Sequence, residues 1–136
     1  MIKRILLIIH LAILLVLWTL ALVTDGTGGG GDSLTHFFFS QLSWQEPENF
    51  FNHWGKPFFT ILSSPWAQFG FVGTKLFNIL CGVAASYLAS LIAIRFSKSW
   101  SWAVPIIAFI TPGYYTFLFS GLTEPISALT VIAAIY

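Results

Sequence analysis

Asp32 and His36 stand four residues apart, the spacing at which two side chains share a helix face. A carboxylate beside an imidazole there is either a local structural pair or a base with its orienting partner. His53 and Lys56 form a second pair, followed at once by Pro57. A helix opening on Pro57 is one reading, and capture of an anionic headgroup phosphate by the two cationic groups is the other. Glu124, followed by Pro125, is the only acid after Glu48. It suits a helix start, and it also lies at the edge of an apolar run, where an acid is costly and tends to serve a purpose. Asp32 has its own structural alternative: it follows a glycine run and precedes an apolar stretch, the place of an N-cap carboxylate.

The chain that must position these groups has 136 residues, 57% hydrophobic, 18% aromatic and 8% charged. Its mean hydropathy is +0.83. So little polar surface cannot clothe a soluble globule of this size, which points to lipid as solvent. The net charge of +1 comes with no basic stripe, so nucleic acid is excluded as a partner. The single cysteine, Cys81, lies in an apolar run, can form no intrachain disulfide and is expected to pack.

Residues 5–23 form an apolar run broken only by His10 and Thr19, long enough to cross a hydrocarbon core of roughly 30 Å. Lys3 and Arg4 precede it, which holds the N-terminus in the cytoplasm. The run is longer than a signal-peptide core and no small-x-small site ends it, so a retained helix is expected. His10 is read as packed or snorkelling, with an intramembrane functional role as the alternative. A second span covers 74–96, rich in small residues, with Arg95 at its end and Lys98 just after it, which return the chain to the cytoplasmic side. Trp100 and Trp102 suit an interfacial belt, and 103–119 reads as a third span that Pro105, Pro112 and Gly113 should kink or divide. A fourth run, 126–136, is too short to cross, so the chain reads as the front part of a longer protein, inactive alone.

Four of the five acids, Asp25, Asp32, Glu46 and Glu48, fall in the connection 24–73. Such length is uncommon unless functional or disordered, and this segment is too aromatic for disorder. The expectation is helices lying on the membrane surface over 32–42 and 57–62, with rings at headgroup depth. Its glycine run, Gly26 to Gly31, should be a flexible tether unable to sustain helix. The expected fold is all-α: a polytopic transmembrane helical bundle with a long external first loop.

The order of these elements resembles the front end of the GT-C membrane glycosyltransferases, closest to the protein-mannosyltransferase and aminoarabinose-transferase type. The resemblance rests on an N-terminal anchor, Gly31-Asp32 before a helical stretch, His53-x-x-Lys56-Pro57-Phe58-Phe59, Phe69-Gly70 before the second long span, and Thr123-Glu124-Pro125-Ile126. Phe58 stands where that family has a second proline, and Ser33 where it often has a second acid. The resemblance implies a single transmembrane domain, of which 1–136 is the N-terminal part, in the cell membrane with its first loop outside. It implies transfer of a mannose-like hexose or similar sugar from a polyprenyl-phosphate donor to a lipid or protein acceptor. Asp32 would be the catalytic base, and Lys56, His53, Glu124 and His36 would bind substrate. The scheme needs no cofactor and no metal. A non-catalytic membrane subunit or transporter is the alternative from another class.

Overall fold

The structure, a computed structural model, describes residues 1–28 and 30–136, and every regular element in it is helical. Two helices are long and apolar enough to cross a membrane: α1, Ile2–Val23, with a mean hydropathy of 2.9, and α4, Phe71–Phe96, with 1.9. Between them lie α2, Gly30–Leu42, a 3-10 turn, Pro47–Phe51, and α3, Pro57–Ala67; after them come α5, Ala103–Ile110, α6, Pro112–Leu118, and α7, Glu124–Ile135.

Side-chain bonds set the directions. Lys75 Nζ donates to the Thr24 carbonyl at 2.9 Å, Trp18 Nε1 to the Leu76 carbonyl at 3.1 Å, and the His10 ring meets Ser86 Oγ at 3.1 Å. Numbers fall along α4 as they rise along α1, so the two run antiparallel. Asn78 of α4 holds the Ser120 carbonyl at 2.7 Å, and Tyr114 holds the Gly82 carbonyl at 2.7 Å, which turns α5 and α6 back against α4. Ile126 shares a core with Phe77 and Cys81, while Tyr136 accepts from Arg95, so α7 runs alongside α4. Cys81 packs as expected, buried with Phe59, Phe77 and Ile126. A second core gathers Leu17, Ala21, Ile79, Val83 and Leu118. Close backbone approach is built in at Gly82, where a Cβ would overlap Leu118, and at Gly73, where it would overlap the Trp66 carbonyl.

The remaining face of α1 is apolar and uncovered: Ile8, Leu15, Val16, Leu22 and Val23 are each more than half exposed. An exposed apolar stripe along a whole helix is a surface suited to lipid or another protein, not to water.

The 103–119 run is divided, as expected, into two short helices, parted at Thr111, where the backbone is extended (φ −75°, ψ 114°) before Pro112, and neither is among the two candidate spans. Other sequence expectations need correcting. The glycine run does not stay outside helix: Gly30 and Gly31 form the first turn of α2. Asp32 therefore lies within that first turn and is not its N-cap. The helix expected over 57–62 continues to Ala67 despite Pro65. Pro65 has no N–H for the Ile61 carbonyl, and the Ser64 hydroxyl donates there instead at 3.2 Å.

Candidate functional site

The 24–70 segment packs on the first turns of α4. Phe37 meets Phe71 (centroids 5.4 Å apart), Phe59 meets Phe77 (5.9 Å) and Trp66 meets Phe77 (6.3 Å). Within the segment, His36 faces Phe59 at 5.8 Å, Ser40 Oγ bonds Ser63 Oγ at 2.7 Å, and Gln68 Nε2 donates to the Gln41 carbonyl at 3.1 Å. Both sets of numbers rise together, so α2 and α3 run parallel and their N-termini lie at one end. A helix N-terminus exposes unbonded N–H groups and a partial positive charge, and here two are side by side.

Lys56 caps α3 with φ 56° and ψ 92° and is the only non-glycine residue of positive φ among those described. Such a backbone costs about 1–3 kcal/mol and persists only where the surroundings enforce it. They do so through Gly55, which is buried, with its carbonyl accepting from Thr60 Oγ1 at 2.7 Å. A Cβ there would come within 2.9 Å of Thr60 Oγ1 and 3.2 Å of Phe39 Cβ. The turn is pressed against α2, and the Lys56 side chain is left exposed.

The third contribution comes from the far end of the sequence. Ser33, wholly buried, donates to the Thr27 carbonyl at 2.9 Å and accepts from the Gly121 N–H. A Cβ on Gly121 would overlap the Ser33 carbonyl. Asn78 fixes the same connection through the Ser120 and Leu122 carbonyls at 2.7 and 2.9 Å. Glu124 follows as the first residue of α7, exposed and bordering a cavity of about 210 Å³ with Tyr114, Phe117, Pro125 and Ala128.

His36 lies where these pieces meet. It is 8% exposed, and its Nδ1 is buried with no hydrogen-bond partner. Burial holds its pKa below the ordinary value, and the Lys56 charge lowers it further, while Asp32 and Glu124 pull it back up. Charges from three separate segments thus act on one buried ring. Asp32, Lys56 and Glu124, of the five residues singled out from sequence, are among the charges acting on His36. His53 is not: it is exposed, with Trp54 as its ring neighbour at 5.7 Å, and its charge is not among those acting on His36. The hydrogen bond expected from Asp32 to His36 does not form, since Asp32 is exposed and His36 Nδ1 is unpartnered. Among the described residues, no three His, Cys, Asp or Glu side chains are grouped to hold a metal ion.

Sequence reasoning passed over Lys75 and Asn78. Lys75 is 3% exposed and binds the carbonyl end of α1, where a cation meets the negative end of the helix dipole. Asn78 keeps Oδ1 buried and unpartnered, as does Thr74 its hydroxyl one turn earlier. The available signal was a Thr-Lys-x-x-Asn run inside an apolar span, polar residues that lipid does not accept without reason. Compared with known proteins, the chain matches no family model, no curated protein and no solved structure.

Proposed function

We propose that this chain serves a membrane glycosyltransferase activity, in which a sugar passes from a polyprenyl-phosphate donor to a lipid or protein acceptor. The observation that carries the reading is buried His36, its Nδ1 unpartnered, on the helix that holds Asp32 and bonds through Ser33 to the connection before Glu124, and against Phe59 of the helix that Lys56 caps. Asp32, Lys56 and Glu124 are positions the GT-C resemblance singles out, and they come from chain segments far apart in sequence. The two long apolar helices and the uncovered apolar face of α1 support a membrane setting; in this reading Lys3 and Arg4 hold the N-terminus in the cytoplasm, and α2 and α3 face the other side.

In this reading Asp32 takes the proton from the acceptor nucleophile as it attacks the anomeric carbon. The bond from that carbon to the phosphate oxygen breaks, and its electron pair leaves with the lipid phosphate. Lys56 and the adjoining N-termini of α2 and α3 stabilise the charge that develops on the phosphate. Glu124 and His36 hold sugar hydroxyls; His53, outside the cluster, is given no step.

The test is Asp32→Asn in membranes carrying the whole gene product, with sugar transfer from a polyprenyl-phosphate donor as the readout. Transfer should fall by about 100-fold or more; undiminished turnover rules out the base. The second reading, a non-catalytic subunit or transporter, is favoured by one observation, that Asp32 stands in the first turn of α2, where a carboxylate is stabilising in itself. Absence of lipid-linked sugar binding, with an Asp32→Ala variant that loses only stability, selects it.

A further inference from the structure

The two ends of the helix bundle differ in charge. Asp25, Asp32, Glu46, Glu48 and Glu124, all five acids, lie at the end where α1 finishes and α4 begins, or in the connections there. Four of the six Lys and Arg residues, Lys3, Arg4, Arg95 and Lys98, lie at the opposite end. No acid of this chain is there to neutralise them. Arg95 is engaged, donating to the Tyr136 oxygen at 2.9 Å and lying 4.9 Å from the Tyr136 ring centre. Lys3, Arg4 and Lys98 are exposed.

Beside these three cations the bundle is open. A cleft of about 410 Å³ runs between α1 and α5 and is lined by apolar groups of Ile9, Ile13, Trp102, Ile106, Phe109 and Ile110. Trp102 stacks on Trp100 with ring centres 6.3 Å apart and planes 17° apart. The turn before α5 is tied by Ser101 Oγ to the Lys98 carbonyl at 3.0 Å and by Ala103 N–H to the Trp100 carbonyl at 2.9 Å. Trp102 thus lines the cleft with Trp100 stacked on it, and the backbone of exposed Lys98 is tied into the same turn. An apolar slot, an indole pair beside it and unneutralised cations at the same end of the bundle are the parts a phospholipid needs: acyl chain, glycerol level and phosphodiester in order.

We propose that this end of the bundle is a binding site for an anionic phospholipid, with one acyl chain in the α1–α5 cleft and its phosphodiester on Lys98, Lys3 and Arg4. Charge complementarity selects this occupant: a covering helix of another protein would fill the slot but leave the three cations without counter-charge, whereas an anionic lipid meets both. The site lies at the opposite end from His36 and does not depend on sugar transfer.

Native mass spectrometry of the detergent-purified protein, exposed in turn to phosphatidylglycerol and to phosphatidylcholine, tests the proposal. The protein should retain phosphatidylglycerol at least about fivefold better, with about a fivefold loss for each cation removed in Lys98→Gln and in the Lys3→Gln/Arg4→Gln/Lys98→Gln variant. Ile106→Trp fills the cleft and should reduce retention of both lipids. Thermal unfolding checks each variant; should Ile106→Trp fail to fold, Ile106→Phe takes its place, and Lys98→Gln, an exposed change, keeps the headgroup arm. Equal retention of the two lipids, or retention that neither charge removal nor cleft filling alters, overturns the proposal.

Discussion

Two histidines are buried in this molecule, His10 between α1 and α4 and His36 beneath the N-termini of α2 and α3, at 2% and 8% exposure. Around His10 every polar group is answered. Nδ1 donates to the Leu6 carbonyl at 2.7 Å, Nε2 accepts from the Ser86 hydroxyl at 3.1 Å, and the Tyr87 ring meets its edge at 5.4 Å. Around His36, Nδ1 is unanswered and three exposed charges act on the ring. A satisfied buried histidine is part of the fold, whereas an unsatisfied one costs stability that something other than folding must justify. It follows that His10 holds its region together itself, while the His36 region is held by contacts around the ring, such as Ser40 with Ser63 and Ser33 with Gly121.

The sharpest way to break this contrast is at Gly121, which holds the His36 region without touching the ring. In Gly121→Ala the new Cβ overlaps the Ser33 carbonyl, and neither backbone moves freely, since Asn78 holds the one and Thr27 the other. A loss of about 2–4 kcal/mol is expected in thermal or denaturant unfolding in detergent. A loss within experimental error would mean that the contact between α2 and the α6–α7 connection does not organise the region.

His10→Ala comes next, at about 2 kcal/mol. One interhelical hydrogen bond in a membrane bundle accounts for roughly 0.6 kcal/mol of this, and the vacated ring volume supplies the rest. His10→Ala should leave phosphate or lipid-linked sugar binding at the other end unchanged in the folded fraction. Loss of binding with stability intact would reverse the roles assigned to the two histidines.

How far this contrast could be read in advance depends on which forces decide each part. The bodies of α1 and α4 were legible, because an apolar run bounded by charges has one cheap conformation in lipid, and Pro112 marked the break after α5 through the restriction a proline puts on its predecessor. The start of α2 was not, because glycine propensity opposes helix while Ser33, Thr27 and Gly121, a tertiary set of bonds, favour it. The end of α3 was hidden for the same reason, since Pro65 signals a stop and the Ser64 hydroxyl removes part of its cost. Asp32 and His36 were rightly placed on neighbouring positions of one helix face. Four residues advance a helix by slightly more than one turn, about 40°, and that offset is enough to leave one side chain exposed and the other covered. The parallel pairing of α2 and α3, which sets His36 against Phe59, left no local mark, because it depends on contacts such as Ser40 with Ser63 and Phe39 with Gly55.

Lys56→Gly sharpens the contrast from the strained side. Glycine accepts φ 56° freely, so the variant should gain about 1 kcal/mol in stability. The same change removes the cation proposed to meet the lipid phosphate, so binding of a polyprenyl phosphate should fall while unfolding moves to higher temperature. A lysine kept for packing alone would give lower stability on replacement by glycine.

The smallest expected change in stability belongs to His36→Phe, and its direction is the informative part. A phenyl ring keeps the contact with Phe59 and removes the unpartnered nitrogen, so stability at pH 7.5 should stay within about 1 kcal/mol of the parent or rise. The parent's pH dependence separates the two states of the ring. Since burial lowers the folded pKa below the unfolded 6.5, the unfolded chain binds the proton more readily as pH falls. The stabilising contribution of the neutral ring is therefore complete above pH 6.5 and is lost as pH drops toward the folded pKa, with a limiting slope of about 1.4 kcal/mol per pH unit. Unfolding of the two proteins measured between pH 7.5 and 5 should diverge, with the parent falling faster. His10 remains in both and cancels in the difference. Parallel curves would mean that His36 gains its proton as easily folded as unfolded, and the ring would then have to be open to water or ion-paired with Asp32 or Glu124.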